Sequence, residues 1–187
     1  MNMPFTFVHT PLNGVIRIEP KIFSDTRGYF KEAYKESEFK KSGIDLKFVQ
    51  DNHSFSKRGV VRGLHFQKYP NEQGKLISVL HGEIFDVAVD LRPESKTYSK
   101  WFAVILSEQN GNILWIPAGF AHGFQALKDS HVYYKVTTEF SPIDDSGIRW
   151  DDPTVAISWP IVKPIVSEKD SKLPYLADLN KTRSGKH

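Results

Sequence analysis

The 187-residue sequence contains no cysteine. That absence removes disulfides, thiolate-held zinc or iron–sulfur centres and thiol nucleophiles together, and it suits a chain that works in a reducing cytoplasm. Charge of one sign is scarce as well. The 25 basic side chains stand against 22 acidic ones, a net charge of +3 spread evenly, which argues against nucleic acid as the partner. No stretch approaches the roughly 18 uninterrupted apolar residues that span a bilayer, so no membrane association is expected. The N-terminal MNMPFTFVHTPL has no basic region leading into an apolar one, so export by such a leader is not expected either. What is present is the composition of a soluble globular protein, 40% hydrophobic and 25% charged, with 13 Phe, 7 Tyr and 4 Trp that imply a core or cleft rich in rings. The length fits a single domain over 1–187, ordered across about 5–176, with the polar NKTRSGKH of 180–187 as a flexible tail.

Short runs of β-branched and aromatic residues dominate the rest: 15–20, 60–66, 75–80, 83–91, 101–106, 113–117, 122–127 and 131–140. The run 83–91 alternates Ile84, Asp86, Ala88 and Asp90 against Phe85, Val87, Val89 and Leu91. Turn residues punctuate these runs at Pro70-Asn71, His81-Gly82, Arg92-Pro93, Asn110-Gly111, Ala118-Gly119 and Lys128-Asp129. Strands at roughly ten-residue spacing predict an all-β sandwich or barrel of antiparallel strands. Helical segments are expected only near the two ends: one around Lys35–Ser42, capped by Ser37 and closed by Gly43, and one around Ser167–Leu173.

In GNILWIPAGFAHGFQAL, Gly111, Pro117, Gly119 and His122 stand in the order G, five residues, P, one residue, G, two residues, H. This resembles the second conserved motif of the cupin jelly rolls. Metal-holding cupins pair it with an HxH in the first motif, but here Gly63-Leu64-His65-Phe66-Gln67 offers one histidine. His65 and His122 alone are a poor ligand set. As acid–base chemistry the residues fit better. A neutral imidazole accepts a proton near neutral pH, with a carboxylate on its far nitrogen to fix the tautomer. Asp170, Asp86 and Asp90 are each candidates for that carboxylate. A cationic Lys75 would stabilise an enolate oxygen, and Tyr134 would return a proton from the opposite side, which together describe proton abstraction next to a carbonyl. The remaining histidines, His9, His53, His81, His131 and His187, read as ordinary polar positions.

The blocks DTRGYFKEAY, FVQDNHSFS, VRGLHFQ, QGKLISVLHGEIFDVAVDLR, LWIPAGFAHGF, YYKVTTEFSP, WDDPTVAISWP and VSEKD, in this order over about residues 5–176, resemble the dTDP-4-dehydrorhamnose 3,5-epimerase family from end to end. The resemblance implies a cupin-type jelly-roll barrel and a dTDP-linked 4-keto-6-deoxy sugar as substrate. It implies that C3 and C5 are inverted through enolate-like intermediates without metal or organic cofactor, in dTDP-L-rhamnose formation or a related route. By the same resemblance His65 is the general base, Asp170 its partner, Lys75 the stabiliser of the C4 oxygen and Tyr134 the proton donor. Arg27, Phe30, Glu32, Gln50, Asn52, Arg62, His122, Asp145 and Lys169 match the family's substrate contacts, Phe30 against the thymine base. Arginine suits diphosphate oxygens because its planar fork makes two parallel hydrogen bonds. The family's members form homodimers in which an N-terminal strand crosses to the neighbour, so some of Arg27–Glu32 is expected to serve the partner's cleft.

Two positions depart from the family pattern. Phe140 stands where many members have a second tyrosine, and Asp145 where they have a glutamate. Inversion at C3 or C5 alone is therefore the runner-up to double epimerisation. A metal-dependent oxygenase and a non-catalytic sugar-binding cupin are the alternatives from other classes.

Overall fold

The computed structural model describes residues 4–184. Along the chain run β1 (Phe5–His9), β2 (Ile16–Pro20), β3 (Ile22–Asp25), β4 (Gly28–Lys31), α1 (Glu36–Lys41), β5 (Gln50–Ser56), β6 (Val60–Gln67), β7 (Lys75–His81), β8 (Glu83–Asp90), β9 (Trp101–Ser107), β10 (Ile113–Ile116), β11 (Phe120–Ala126), β12 (Ser130–Val136), β13 (Asp145–Gly147), β14 (Ile165–Val166), α2 (Glu168–Ser171) and α3 (Leu176–Ser184). One sheet has the order β1-β2-β10-β7-β12-β5 and the other β13-β6-β11-β8-β9, with β14 also on β6 and β3–β4 a separate hairpin. All these pairs are antiparallel except β14 with β6. This is the antiparallel all-β architecture the strand pattern predicts, in the jelly-roll form the resemblance implies.

The alternation in β8 explains how the layers stack. Ile84 and Ala88 face the space between the sheets, where they pack with Ile77, Val79, Leu114, Phe120, Phe124 and Val132. Val87 and Val89 face outward but stay dry, because Ile148, Val155 and Leu176 of the C-terminal wrap cover them along with Leu64 and Phe66. The strand thus carries apolar residues on both faces, with Asp86 and Asp90 as its buried polar exceptions. On the first sheet, Phe39 of α1 and Ile44 cover Phe5, Ile18, Ile113 and Trp115 in the same way. Burial of one such aromatic or aliphatic side chain contributes about 1.5–3 kcal/mol.

Two local expectations need correction. Ser37 does not cap α1: the N-cap is Lys35, with no side-chain bond, and Ser37 lies inside the first turn beside Glu36 and Glu38. Closure by Gly43 is as expected, since its φ of +86° is open to glycine at little cost and lets Ile44 N–H reach the Phe39 carbonyl. The 131–140 run leaves the sheet at Val136. The expected tail at 180–187 is helical as far as Ser184, where α3 ends, and residues 185–187 lie outside the described residues. Just before α3, α2 forms with Ser167 as its N-cap, accepting from the Asp170 N–H.

Asp90 is a structural hub. Its buried carboxylate takes two hydrogen bonds from the Arg92 guanidinium, at 2.9 and 2.7 Å, and one each from Ser95 and Thr97, at 2.6 and 2.7 Å. Burial alone would raise its pKa, but the bonds from Arg92, Ser95 and Thr97 outweigh it and hold the group at about 2. A carboxyl depressed in the folded state contributes stability above its unfolded pKa and loses it as pH falls through the folded value. Asp90→Asn should therefore lower the unfolding free energy by about 2 kcal/mol at pH 7. Urea melts should show the gap closing as pH falls from about 4 towards 2.

Candidate active site

The histidine in the first motif is set by β6 and locked by a residue 105 positions away. His65 Nε2 lies 2.8 Å from Asp170 Oδ1, while Gly63 N–H donates to Asp170 Oδ2 at 3.1 Å. Asp170 is 4% exposed, and its backbone N–H is fixed by Ser167 Oγ. Burial pushes its pKa up, but the His65, Gly63 and Ser167 bonds win and hold it below the usual carboxylate value. An ionised carboxylate only accepts, so the proton on His65 sits on Nε2, and Nδ1 carries the lone pair. Gly63 has to be glycine. Its φ is +125°, and a Cβ there would meet the Gly123 Cα of β11 at 2.6 Å.

Around His65 the barrel opens into two cavities of about 310 Å³ each, both lined by His65, Lys75, Tyr134 and Lys169. Such volumes are at the lower end of small-ligand sites. Lys75 begins β7, where burial lowers its pKa to about 8 against the opposing pull of Asp145 and Asp86. Tyr134 on β12 has its pKa raised by burial, with Arg62 opposing, so the phenol keeps its proton at neutral pH. The cleft thus joins an imidazole, a cation and a protonated phenol.

One cavity is further lined by Gln50, Asn52, Phe140 and Asp145, and the other by Arg62, His122 and Asp170. Many of these groups hold one another. Gln50 Nε2 donates to Asn52 Oδ1 at 2.8 Å, the Lys169 ammonium pairs with Asp145, and Arg62 donates to Ser56 Oγ and the Phe55 carbonyl at 2.8 and 2.9 Å. His122 Nε2 is bonded to Asp86 at 2.8 Å, so Asp86 belongs to His122, Asp170 to His65, and Asp90 to Arg92. Among the described residues no group of three or more His, Asp or Glu is placed to hold a metal ion.

A family model described as dTDP-4-dehydrorhamnose 3,5-epimerase matches residues 9–178. The chain belongs to this family. It is 52% identical to the dTDP-4-dehydrorhamnose 3,5-epimerase of Methanothermobacter thermautotrophicus over 170 residues, 89% of this chain and 91% of that one. A crystal structure of the Legionella pneumophila epimerase in complex with dTDP-4-keto-L-rhamnose superimposes with a TM-score of 0.89 at 43% identity, covering 92% of this chain and 93% of that one. A 3'-monoepimerase from Streptomyces bikiniensis, in complex with dTDP-quinovose, gives a TM-score of 0.88 at 29% identity over 94% of this chain and 91% of that one.

Within this member of the epimerase family the cleft gathers ten of the thirteen residues singled out from the sequence. The other three, Arg27, Phe30 and Glu32, do not line it. Arg27 and Phe30 line an outer hollow of the β3–β4 hairpin, where Arg27 bonds Asp25 at 2.6 Å and Phe30 is 65% exposed. Glu32 lies 3.8 Å from Lys35. Sequence reasoning passed over Gln67 and Gln73, which also line the cleft. The alternation of β6 was the available signal for Gln67, since residues 65 and 67 share a face. Its amide is committed to the neighbouring loops, donating to the Asn71 carbonyl at 2.6 Å and accepting from Ser141 N–H at 2.8 Å.

Proposed function

We propose that this chain is a dTDP-4-dehydrorhamnose 3,5-epimerase acting on a dTDP-linked 4-keto-6-deoxy sugar. The observation that carries the reading is the His65–Asp170 pair facing one cleft with Lys75 and Tyr134. His65 Nδ1 removes the proton from a carbon beside the C4 ketone. The electron pair moves onto the C4 oxygen as an enolate, which the Lys75 ammonium stabilises. The Tyr134 phenol then protonates the carbon on the opposite face, inverting it, and regains its proton from solvent. His65 releases the proton it took to solvent, and the same cycle at C3 and at C5 completes the double inversion. Asp170 keeps the imidazolium that forms in place and favours it electrostatically.

Arg62 and Lys169 form the cationic side of the cleft, suited to the diphosphate, with His122 beside them, while Gln50, Asn52 and Asp145 offer polar contacts to the sugar and nucleoside. The reaction draws on no metal or organic cofactor in this scheme, because the proton acceptor, proton donor and enolate stabiliser are all side chains. A homodimer with N-terminal exchange gives the hairpin its use. Phe23, Tyr29 and Phe30 are 49%, 57% and 65% exposed, and a second copy's cleft would cover them together with Arg27 and Glu32. A reducing cytoplasm remains the compartment in keeping with a chain free of cysteine.

Incubating dTDP-4-keto-6-deoxyglucose with the protein in D₂O tests this directly by proton NMR. Deuterium should enter at both C3 and C5. Phe140 in the cleft supports the second reading, a mono-epimerase, because its ring offers no hydroxyl there. Label confined to one carbon would establish that second reading and overturn the first.

A further inference from the structure

One acidic side chain in the barrel is placed at a cost that packing alone does not repay. Asp86 sits on β8 between Ile84 and Ala88, both members of the apolar layer between the sheets, and it is 0% exposed. Oδ1 lies 2.8 Å from His122 Nε2, and Oδ2 is buried without a hydrogen-bond partner. A buried carboxylate with one oxygen unpaired is destabilising, and an apolar residue of similar size would serve a purely structural position better. Unpaired buried polar atoms in native folds call for a reason beyond packing.

We propose, on the epimerase reading above, that Asp86 is a positioning residue of this cleft. Its carboxylate holds His122 in the Nε2–H tautomer and supplies an interior negative charge behind it. His122 is the register partner of His65 across β6 and β11, so the cleft contains two histidines of like design, each with Nε2–H turned to a buried carboxylate and Nδ1 left over. In strand pairing Asp86 stands opposite Phe124, with His122 opposite Ala88, which makes Asp86 and His122 diagonal neighbours on one face. For Lys75, burial lowers the pKa, Asp145 opposes that most strongly and Asp86 next. The other ionisable groups lining the cleft are His65 on β6, His122 on β11, Tyr134 on β12, Arg62, Lys169 and Asp170.

The test separates charge from shape. Asp86→Asn keeps the side-chain oxygen that accepts from His122 but removes the charge, so the alkaline limb of kcat/KM should move to lower pH. A shift of about half a unit reads as about a 2.5-fold larger loss of kcat/KM at pH 8.5 than at pH 6.5. Asp86→Glu, which restores the charge, should bring the limb back towards the wild-type position whatever its absolute rate. An equal loss at both pH values would reduce Asp86 to a structural residue. If the substituted chains do not fold, the wild type still decides: the side-chain ¹⁵N shifts of His122 should show hydrogen on Nε2, and hydrogen on Nδ1 instead would overturn the proposal. Failure of the epimerase reading looks different, since wild-type protein would then exchange neither carbon-bound hydrogen while the His122 tautomer remained readable.

Discussion

His65→Ala will lower turnover by about 10²–10⁴-fold, the usual contribution of a positioned acid–base group, while the chain keeps its barrel. The size follows from what the imidazole does. In the proposed mechanism it is the base: His65 lines both cavities, and its Nε2–H bond to Asp170 leaves the lone pair on Nδ1. The stability cost should be moderate, because Asp170 loses one of its partners but keeps Gly63 N–H and Ser167 Oγ. Circular dichroism and a thermal melt check the fold, and NMR of the dTDP-sugar in D₂O checks the chemistry. If a single base serves both carbons, exchange at C3 and at C5 should fall by the same factor. An unchanged rate, or loss at one carbon alone, would take the role from His65. Asp170→Asn should reproduce part of the defect, since the amide can bond Nε2–H but offers no charge to an imidazolium.

The sequence carried the barrel well where strands are buried and poorly where they are not. The runs at 60–66, 75–80, 83–91 and 113–117 correspond to β6, β7, β8 and β10, which lie inside the sheets with neighbours on both sides. The unnoticed strand β5, QDNHSFS, is an edge strand paired with β12 alone, and its outward residues need not be apolar, so no hydrophobic pattern marks it. The β3–β4 hairpin is exposed along nearly its whole length, which leaves its residues free of any core constraint. Site residues were legible in type but not in pairing. Three aspartates competed for one histidine on paper, and in the fold each holds a different side chain: Asp170 holds His65, Asp86 holds His122 and Asp90 holds Arg92. Spacing along the chain cannot rank contacts made across 105 and 36 residues, because the sheet order that closes those distances is a property of the whole barrel.

Activity should fall as the medium turns alkaline, with a limb near pH 8 that belongs to Lys75. Burial lowers its pKa to about 8, well under the ordinary lysine value, with Asp145 and Asp86 resisting. The sign is that of a cation that must stay charged. Below about pH 8 the ammonium is present and can stabilise the enolate, and above it the neutral amine cannot. The rate constant kcat/KM should thus drop about tenfold per pH unit beyond the limb. Tyr134 is not the source, because burial moves the phenol in the opposite direction, above its ordinary value. Lys75→Met should cost about 10²–10³-fold at pH 7, the scale seen when one preorganised donor to a developing oxyanion is removed. Lys75→Arg is the sharper probe. A guanidinium stays charged throughout this range, so the variant, however slow, should show no limb near pH 8. Persistence of that limb in Lys75→Arg would assign it to another group and leave the enolate without its proposed cation.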